Sequence, residues 1–161
     1  MSDNLLDPIY HVVRDREGRE YRLRVDGDSG LFIVKVLQQG CKIGNVQWVF
    51  HPPGQMCLGD LIIDDAVVHT PQNLAIALWQ LVFKPQPVDY RRRGLGTELL
   101  RFAIAQARRC GIGRIYGSLM QEDIASNPNL VDWYKKHGFH IVPPTSENVP
   151  GAVMGIYMDL S

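Results

Sequence analysis

The sequence is short of cysteine, of net charge and of long apolar runs. Its three cysteines, Cys41, Cys57 and Cys110, are odd in number and form no close pair. That argues against a disulfide framework and against a zinc knuckle, and no metal centre is expected. Seventeen Lys and Arg balance seventeen Asp and Glu. A neutral chain is not a histone-like nucleic-acid binder, and a membrane surface is not an expected partner either. The longest apolar run, 74–83, is interrupted by Gln80 and falls far short of the ~20 residues that span a bilayer. The first ten residues, MSDNLLDPIY, carry acids where a secretory leader carries basic residues. The expectation is a reduced, soluble, cytoplasmic protein.

What is present is ordinary for a folded chain: 161 residues, 45% hydrophobic and 21% charged. At roughly 150 residues per domain this predicts one domain over 1–161. Residues 1–9 read as a frayed lead-in. Runs rich in β-branched and aromatic residues predict strands over 10–13, 21–25, 31–38, 42–50 and 56–64, with short connections that favour an antiparallel meander. Pro71, Pro85 and Pro87 then frame an apolar stretch, 73–83, whose apolar residues nearly circle a helix. It reads as a short helix or hydrophobic flap. Leu99, Leu100, Ala103, Ile104 and Ala107 hold one helical face over 97–109, and Gly111 stops it. A strand is predicted over 114–119. Asn127 and Pro128 read as N-cap and first turn of a helix that Gly138 closes. Strands over 139–142 and 153–160 complete one α/β domain, a layered α+β arrangement.

The segment Val88-Asp89-Tyr90-Arg91-Arg92-Arg93-Gly94-Leu95-Gly96-Thr97-Glu98 carries the most chemistry. A strand-like stretch enters a basic, glycine-containing turn that opens a helix. Gly94 and Gly96 let the backbone approach a ligand without a Cβ in the way. The N–H groups of a first helical turn, with the dipole behind them, suit a phosphate or pyrophosphate. The same residues also describe a solvated tight turn. The stretch lacks the Lys-Ser/Thr of a Walker loop and the third glycine of a dinucleotide fingerprint. Residues 91–136 hold nine cations against four acids, a local balance of +5.

Arg91-x-x-Gly94-x-Gly96 leading into a helix resembles the coenzyme A pyrophosphate loop of GNAT acyltransferases. Downstream, Asn127-Pro128-Asn129-Leu130-Val131-Asp132-Trp133-Tyr134 followed by Gly138-Phe139 resembles that family's second signature. The resemblance covers 56–160 well and the N-terminal part loosely. It implies a mixed, mostly antiparallel central sheet flanked by helices. Two departures stand out. There is little room between Val13 and Leu31 for the helices the family places after its first strand. Conversely, an insertion of about twenty residues, 66–87, precedes the loop. It is expected to serve as an acceptor wall, a subunit contact of a possible homodimer, or simply a flap over the sheet.

The resemblance also implies an activity: direct transfer of acetyl from acetyl-CoA to a primary amine. It assigns Val88, Arg91, Arg92, Arg93, Gly94, Leu95, Gly96 and Thr97 to the cofactor, and Asn127 to its pantetheine arm. Main-chain N–H groups near the end of the 56–64 strand would polarise the carbonyl. Tyr134 would sit near the leaving sulfur, although it is also explained as a core aromatic beside Leu130 and Trp133. A thiol ionises near ~8.5 and tyrosine near ~10, so a hydrogen bond to the thiolate is favoured over full proton transfer. Asp60 and Asp64, on one face by strand alternation, are candidates for the base or for an acceptor-amine site; Asp65 faces the other way. Glu122, Asp123, His69 and His137 are weaker candidates. Residues 55–89 carry four acids against Lys84, which suits a cationic acceptor. Two other readings remain open: a non-catalytic acyl-CoA-binding or regulatory module on the same fold, and a nucleic-acid binder using Arg91–Arg93, Lys135 and Lys136, for which no stacking platform is evident.

Overall fold

The computed structural model describes residues 10–28, 30–69, 71 and 73–160. The lead-in expected over 1–9 lies outside them. In chain order the elements are β1 (Tyr10–Arg14), β2 (Glu20–Asp28), β3 (Leu31–Gln38), β4 (Cys41–His51), β5 (Gln55–Ile63), α1 (Leu74–Val82), α2 (Leu95–Arg109), β6 (Arg114–Leu119), α3 (Gln121–Ser126), α4 (Leu130–Lys136), β7 (His140–Val142) and β8 (Met154–Asp159). The eight strands order as β1-β2-β3-β4-β5-β6-β8-β7. The first five keep chain order because tight turns join them. The β5–β6 pair is parallel, and a parallel pair needs a crossover, which α1 and α2 supply. Among the described residues no helix lies between β1 and β3; β2 fills that length of chain.

The chain resolves into two compact units, one of residues 10–27, 32–46 and 61–101, the other of residues 28, 30, 31, 47–60 and 102–160. Neither is a continuous length of chain, since β2, β3, β4, β5 and α2 contribute to both. In the first unit, Leu23, Val34, Val36, Ile43, Val46, Leu99 and Leu100 are fully buried. Alternation explains the strand members: Val34 and Val36 point to one face while their neighbours stay half-exposed. In the second unit, Met56, Ala103, Ala107 and Ile115 are fully buried, and Trp48, Phe139 and Ile156 nearly so. The α2 stripe is the one its spacing predicts. Its helix starts two residues earlier than expected, at Leu95, which is itself buried.

Two expectations need correction. Asn127 is not the N-cap of α4. It closes α3, donating its N–H to the Asp123 carbonyl, and Asn129 holds the N-cap position. Asn127 still shapes the α4 entry, because its Oδ1 accepts the Asn129 N–H at 3.3 Å and its carbonyl accepts the Leu130 N–H. The helix α3 itself was not expected. It is six residues long with one aliphatic side chain of any size, Ile124, so no apolar stripe announces it.

Candidate active-site elements

In the first unit, the chain enters the glycine turn through a short antiparallel bridge. Val67 and Val88 exchange both backbone hydrogen bonds, at 3.0 and 2.8 Å, and the Tyr90 N–H donates to the Asp64 carbonyl. Two left-handed residues follow, Arg92 at φ 61° and Gly94 at φ 89°. A side chain at positive φ is uncommon, and such strain concentrates where a loop has a task. The first helical hydrogen bond of α2 runs from the Glu98 N–H to the Gly94 carbonyl, which leaves the Leu95 and Gly96 N–H groups without a helical acceptor. The backbone thus has the form of an anion cradle.

The three arginines do different things. Arg91 forks onto Asp89, with Nε and Nη2 at 3.1 and 2.9 Å, and reaches Asp65 at 3.2 Å. This pairing lowers the Asp89 carboxyl to about 2 and raises the Arg91 guanidinium. Arg93 turns inward. Its guanidinium stacks 4.6 Å from the Tyr90 ring centre and donates to the Tyr21 hydroxyl at 3.4 Å. Arg92 is exposed. Two of the three charges are therefore committed within the protein, which also weakens the reading of this segment as a basic nucleic-acid patch.

A support that sequence reasoning missed comes from the β1–β2 turn. The Arg16 N–H donates to the Arg93 carbonyl at 3.0 Å. A Cβ on Gly94 would stand 3.1 Å from the Arg16 Cγ. Arg16 is exposed and adds a cation beside the cradle. The turn is held by Asp15, whose side chain is fully buried and accepts from Arg19 Nε at 2.7 Å, from the Tyr21 hydroxyl at 2.8 Å and from the Glu17 and Arg19 N–H groups. Burial opposes its ionisation, but these four donors outweigh it and hold the carboxyl far below the carboxylate range. A depressed folded value contributes stability above the unfolded pKa, near ~3.9, and loses it as pH falls. Asp15→Asn is therefore expected to lower stability at pH 7 by about 2 kcal/mol, roughly 4–8 °C in melting temperature, and by less at pH 3. Thermal melts at the two pH values check this. No sequence signal marks Arg16, because its partner lies 77 residues away.

The second unit carries Tyr134, Asn127 and Asp60. Tyr134 is buried on α4, edge-on to Trp133 and Phe139 with ring centres 4.9 and 5.3 Å apart. Burial, then the charges of Asp123 and Asp60, push its hydroxyl up to about 12. That the Asp60 charge bears on Tyr134 associates these two candidates. Asp60 is exposed on β5 and accepts from Gln47 Nε2 at 3.2 Å. Registered β5–β6 pairs run from Gln55↔Arg114 to Leu58↔Gly117 and then stop, although both strands continue. The seam opens beside Gly59 and Asp60, so main-chain groups there are released from the β5–β6 ladder. On the other side of the opening, Asn148 donates to the Gly117 carbonyl at 2.9 Å and to Ser118 Oγ at 3.0 Å, holding the β7–β8 loop against β6. Asn148 was also missed.

Asp64, in the first unit just past β5, is half-buried and its backbone links Ile43 and Tyr90. Asp123 Oδ2 accepts the Met120 N–H and caps α3. His137 ends α4 with Nδ1 2.7 Å from the Trp133 carbonyl. His69 Nε2 contacts the Tyr90 hydroxyl. No disulfide joins Cys41, Cys57 and Cys110. Among the described residues, no group of three or more His, Cys, Asp or Glu could hold a metal, and no helix is long and apolar enough to cross a membrane.

The sequence model of the acetyltransferase (GNAT) family matches residues 3–139. No curated protein matches. Among solved structures, an acetyltransferase of the GNAT family from Staphylococcus aureus Mu50 aligns at 15% identity and TM-score 0.57, covering 83% of this chain and 70% of that one. The PaiA N-acetyltransferase from Thermoplasma acidophilum, solved in complex with coenzyme A, aligns at 13% identity and TM-score 0.54 over 81% of this chain and 61% of that one. A cAMP-binding acyltransferase from Mycobacterium smegmatis aligns at 13% identity and TM-score 0.63 over 96% of this chain and 48% of that one.

Proposed function

This chain belongs to the GNAT acetyltransferase family, and from that premise we propose that it transfers an acetyl group from acetyl-CoA directly to a primary amine, acting as one catalytic domain. The observation that carries the proposal is the Arg92–Gly96 turn, left-handed at Arg92 and Gly94 and opening α2. Such a turn binds pyrophosphate through backbone N–H groups, and that hold positions the thioester without doing chemistry on it. Val88 and Arg91 shape the entry, Arg92 and Arg16 add charge, and Leu95, Gly96 and Thr97 form the first turn. Asn127 is assigned to the pantetheine arm.

Three requirements remain: a polarised carbonyl, a stabilised thiolate and a neutral amine. Main-chain N–H groups where the β5–β6 pairing ends are assigned to the carbonyl oxygen, a place where preorganised donors stabilise developing charge. Tyr134 is assigned to the departing sulfur. With its hydroxyl raised to about 12 and a thiol near ~8.5, complete proton transfer is uphill by ~3.5 units, about 5 kcal/mol. Tyr134 therefore acts as a hydrogen-bond donor to the thiolate. An alkylamine, with a pKa near ~10.4, has to lose a proton before attack. Asp60 and Asp64 are assigned to hold the cationic acceptor and take up that proton, directly or through water.

Amine-dependent release of coenzyme A, read with a thiol reagent across a panel of amines and confirmed by the mass of the acylated product, tests the proposal. Turnover with at least one amine is expected. Tight acyl-CoA binding with no turnover on any amine would favour the non-catalytic module instead. With an active amine in hand, Asp60→Asn and Asp64→Asn are each expected to raise its KM about tenfold, the effect of one lost charge pair worth ~1.4 kcal/mol. An unchanged KM in both variants removes the acceptor role.

A further inference from the structure

The insertion is anchored at its base, and the anchor reaches the glycine turn. The Val67–Val88 bridge closes that base. His69 leaves it on one side, and Tyr90 enters the turn on the other. His69 Nε2 shares a hydrogen bond with the Tyr90 hydroxyl, and the two rings meet edge-on with centres 5.8 Å apart. The other ring nitrogen, Nδ1, is buried and has no hydrogen-bond partner among the described residues. With Nε2 taken and Nδ1 shut in, the ring has no nitrogen left for acid–base work on an amine. Its one hydrogen bond serves Tyr90.

Tyr90 in turn seats the loop. It is 2% exposed. Burial pushes its ionisation up, so the hydroxyl keeps its proton, and a buried hydroxyl needs a partner. The Arg93 guanidinium lies 4.6 Å over the Tyr90 ring, and Tyr21 meets that ring edge-on with centres 6.3 Å apart. Arg93 is the residue between the left-handed Arg92 and Gly94. Apart from α2 itself, only two backbone hydrogen bonds among the described residues tie 90–94 to other segments. They run from the Tyr90 N–H to the Asp64 carbonyl and from the Arg16 N–H to the Arg93 carbonyl. A loop with so few backbone bonds is held in shape by its side chains. We propose that His69 is a positioning residue for coenzyme A. Its hydrogen bond seats Tyr90, Tyr90 seats Arg93, and the N–H groups that follow are set before the pyrophosphate arrives. Preorganised donors spare the complex the cost of ordering them. The insertion thereby contributes to the cofactor site from its base. The inference rests on the cofactor role proposed above for this turn.

Calorimetric titration of the full chain with coenzyme A, run as a double-mutant cycle on His69→Leu and Tyr90→Phe, tests this. His69→Leu leaves the buried hydroxyl without its partner, so Tyr90 has to leave its seat to reach water. Binding is expected to weaken about tenfold. Tyr90→Phe keeps the ring and drops the hydroxyl, and is expected to weaken binding about threefold. The pair is expected to stay within about threefold of the wild type rather than fall ~30-fold, because the ring then has no hydroxyl to satisfy. A histidine that only stabilises the fold would lower the melting temperature and leave the Kd alone. Both single variants within twofold of the wild type, or a pair weakened by the product of the two, overturns the proposal. Should far-UV circular dichroism show His69→Leu unfolded, Tyr90→Phe decides alone, and an unchanged Kd overturns it. A folded wild type that binds no coenzyme A removes the cofactor role of the turn and this inference with it.

Discussion

Gly94→Asp is expected to weaken acetyl-CoA binding at least 100-fold in a calorimetric titration, with the fold intact. Three costs add. A side chain at φ 89° is strained by about 1–2 kcal/mol. Its Cβ would stand 3.1 Å from the Arg16 Cγ, so the Arg16 side chain beside the turn has to shift by a few tenths of an ångström. The carboxylate would then face the anion that the turn is built to receive, and its repulsion from a phosphate is of order 1 kcal/mol or more. The strain and the crowding bear on binding by displacing the N–H groups of the turn, and that displacement together with the repulsion is what the 100-fold change, ~2.7 kcal/mol, reads. Arg91→Ala is expected to cost much less, about threefold, because Asp89 and Asp65 already hold that guanidinium. Equal losses at Gly94 and Arg91 would mean that the arginine, not the backbone, makes the site. A folded Gly94→Asp protein that binds like the wild type would remove the loop from the account.

The second large effect is expected at Tyr134. Tyr134→Phe should lower kcat about 100-fold and leave the KM for acetyl-CoA within twofold, since one donor to a developing charge is typically worth that much. The ring still packs against Trp133 and Phe139, so the melting temperature should move by no more than a few degrees. The pH profile discriminates further. A hydroxyl raised to about 12 stays protonated through the working range, so the alkaline limb of the wild-type rate should not belong to Tyr134. An unchanged kcat in the phenylalanine variant would leave Tyr134 as a core aromatic, the other explanation of its spacing.

Local signals carried well into this fold, and long-range ones did not. The strand 31–38 and the strand 114–119 match β3 and β6 residue for residue, because alternation and flanking turns are written within each segment. The α2 stripe was legible for the same reason. The capping of α4 was not. Asn127 and Asn129 are both good cap residues, and which one caps depends on α3, a helix too short and too polar to announce itself. The arginine triplet shows a different limit. Sequence gives three adjacent cations, but only the fold turns Arg91 onto Asp89 and Asp65, stacks a half-buried Arg93 on Tyr90, and leaves Arg92 exposed. Arg16 could not have been associated with Gly94 from sequence, since their proximity arises from β1–β2 pairing. The helical tendency of 73–83 was legible, yet none of the residues of α1 is buried among the described residues.

The central claim is that the turn opening α2 receives the anionic part of an acyl-CoA. Amide chemical shifts of the uniformly ¹⁵N-labelled protein, followed while coenzyme A is added, test it most directly. The account predicts that the largest shifts fall on Arg92, Gly94, Leu95 and Gly96, with Arg16 moving at the same concentrations. Saturable shifts centred elsewhere, or none at all from the folded protein at millimolar coenzyme A, would contradict it.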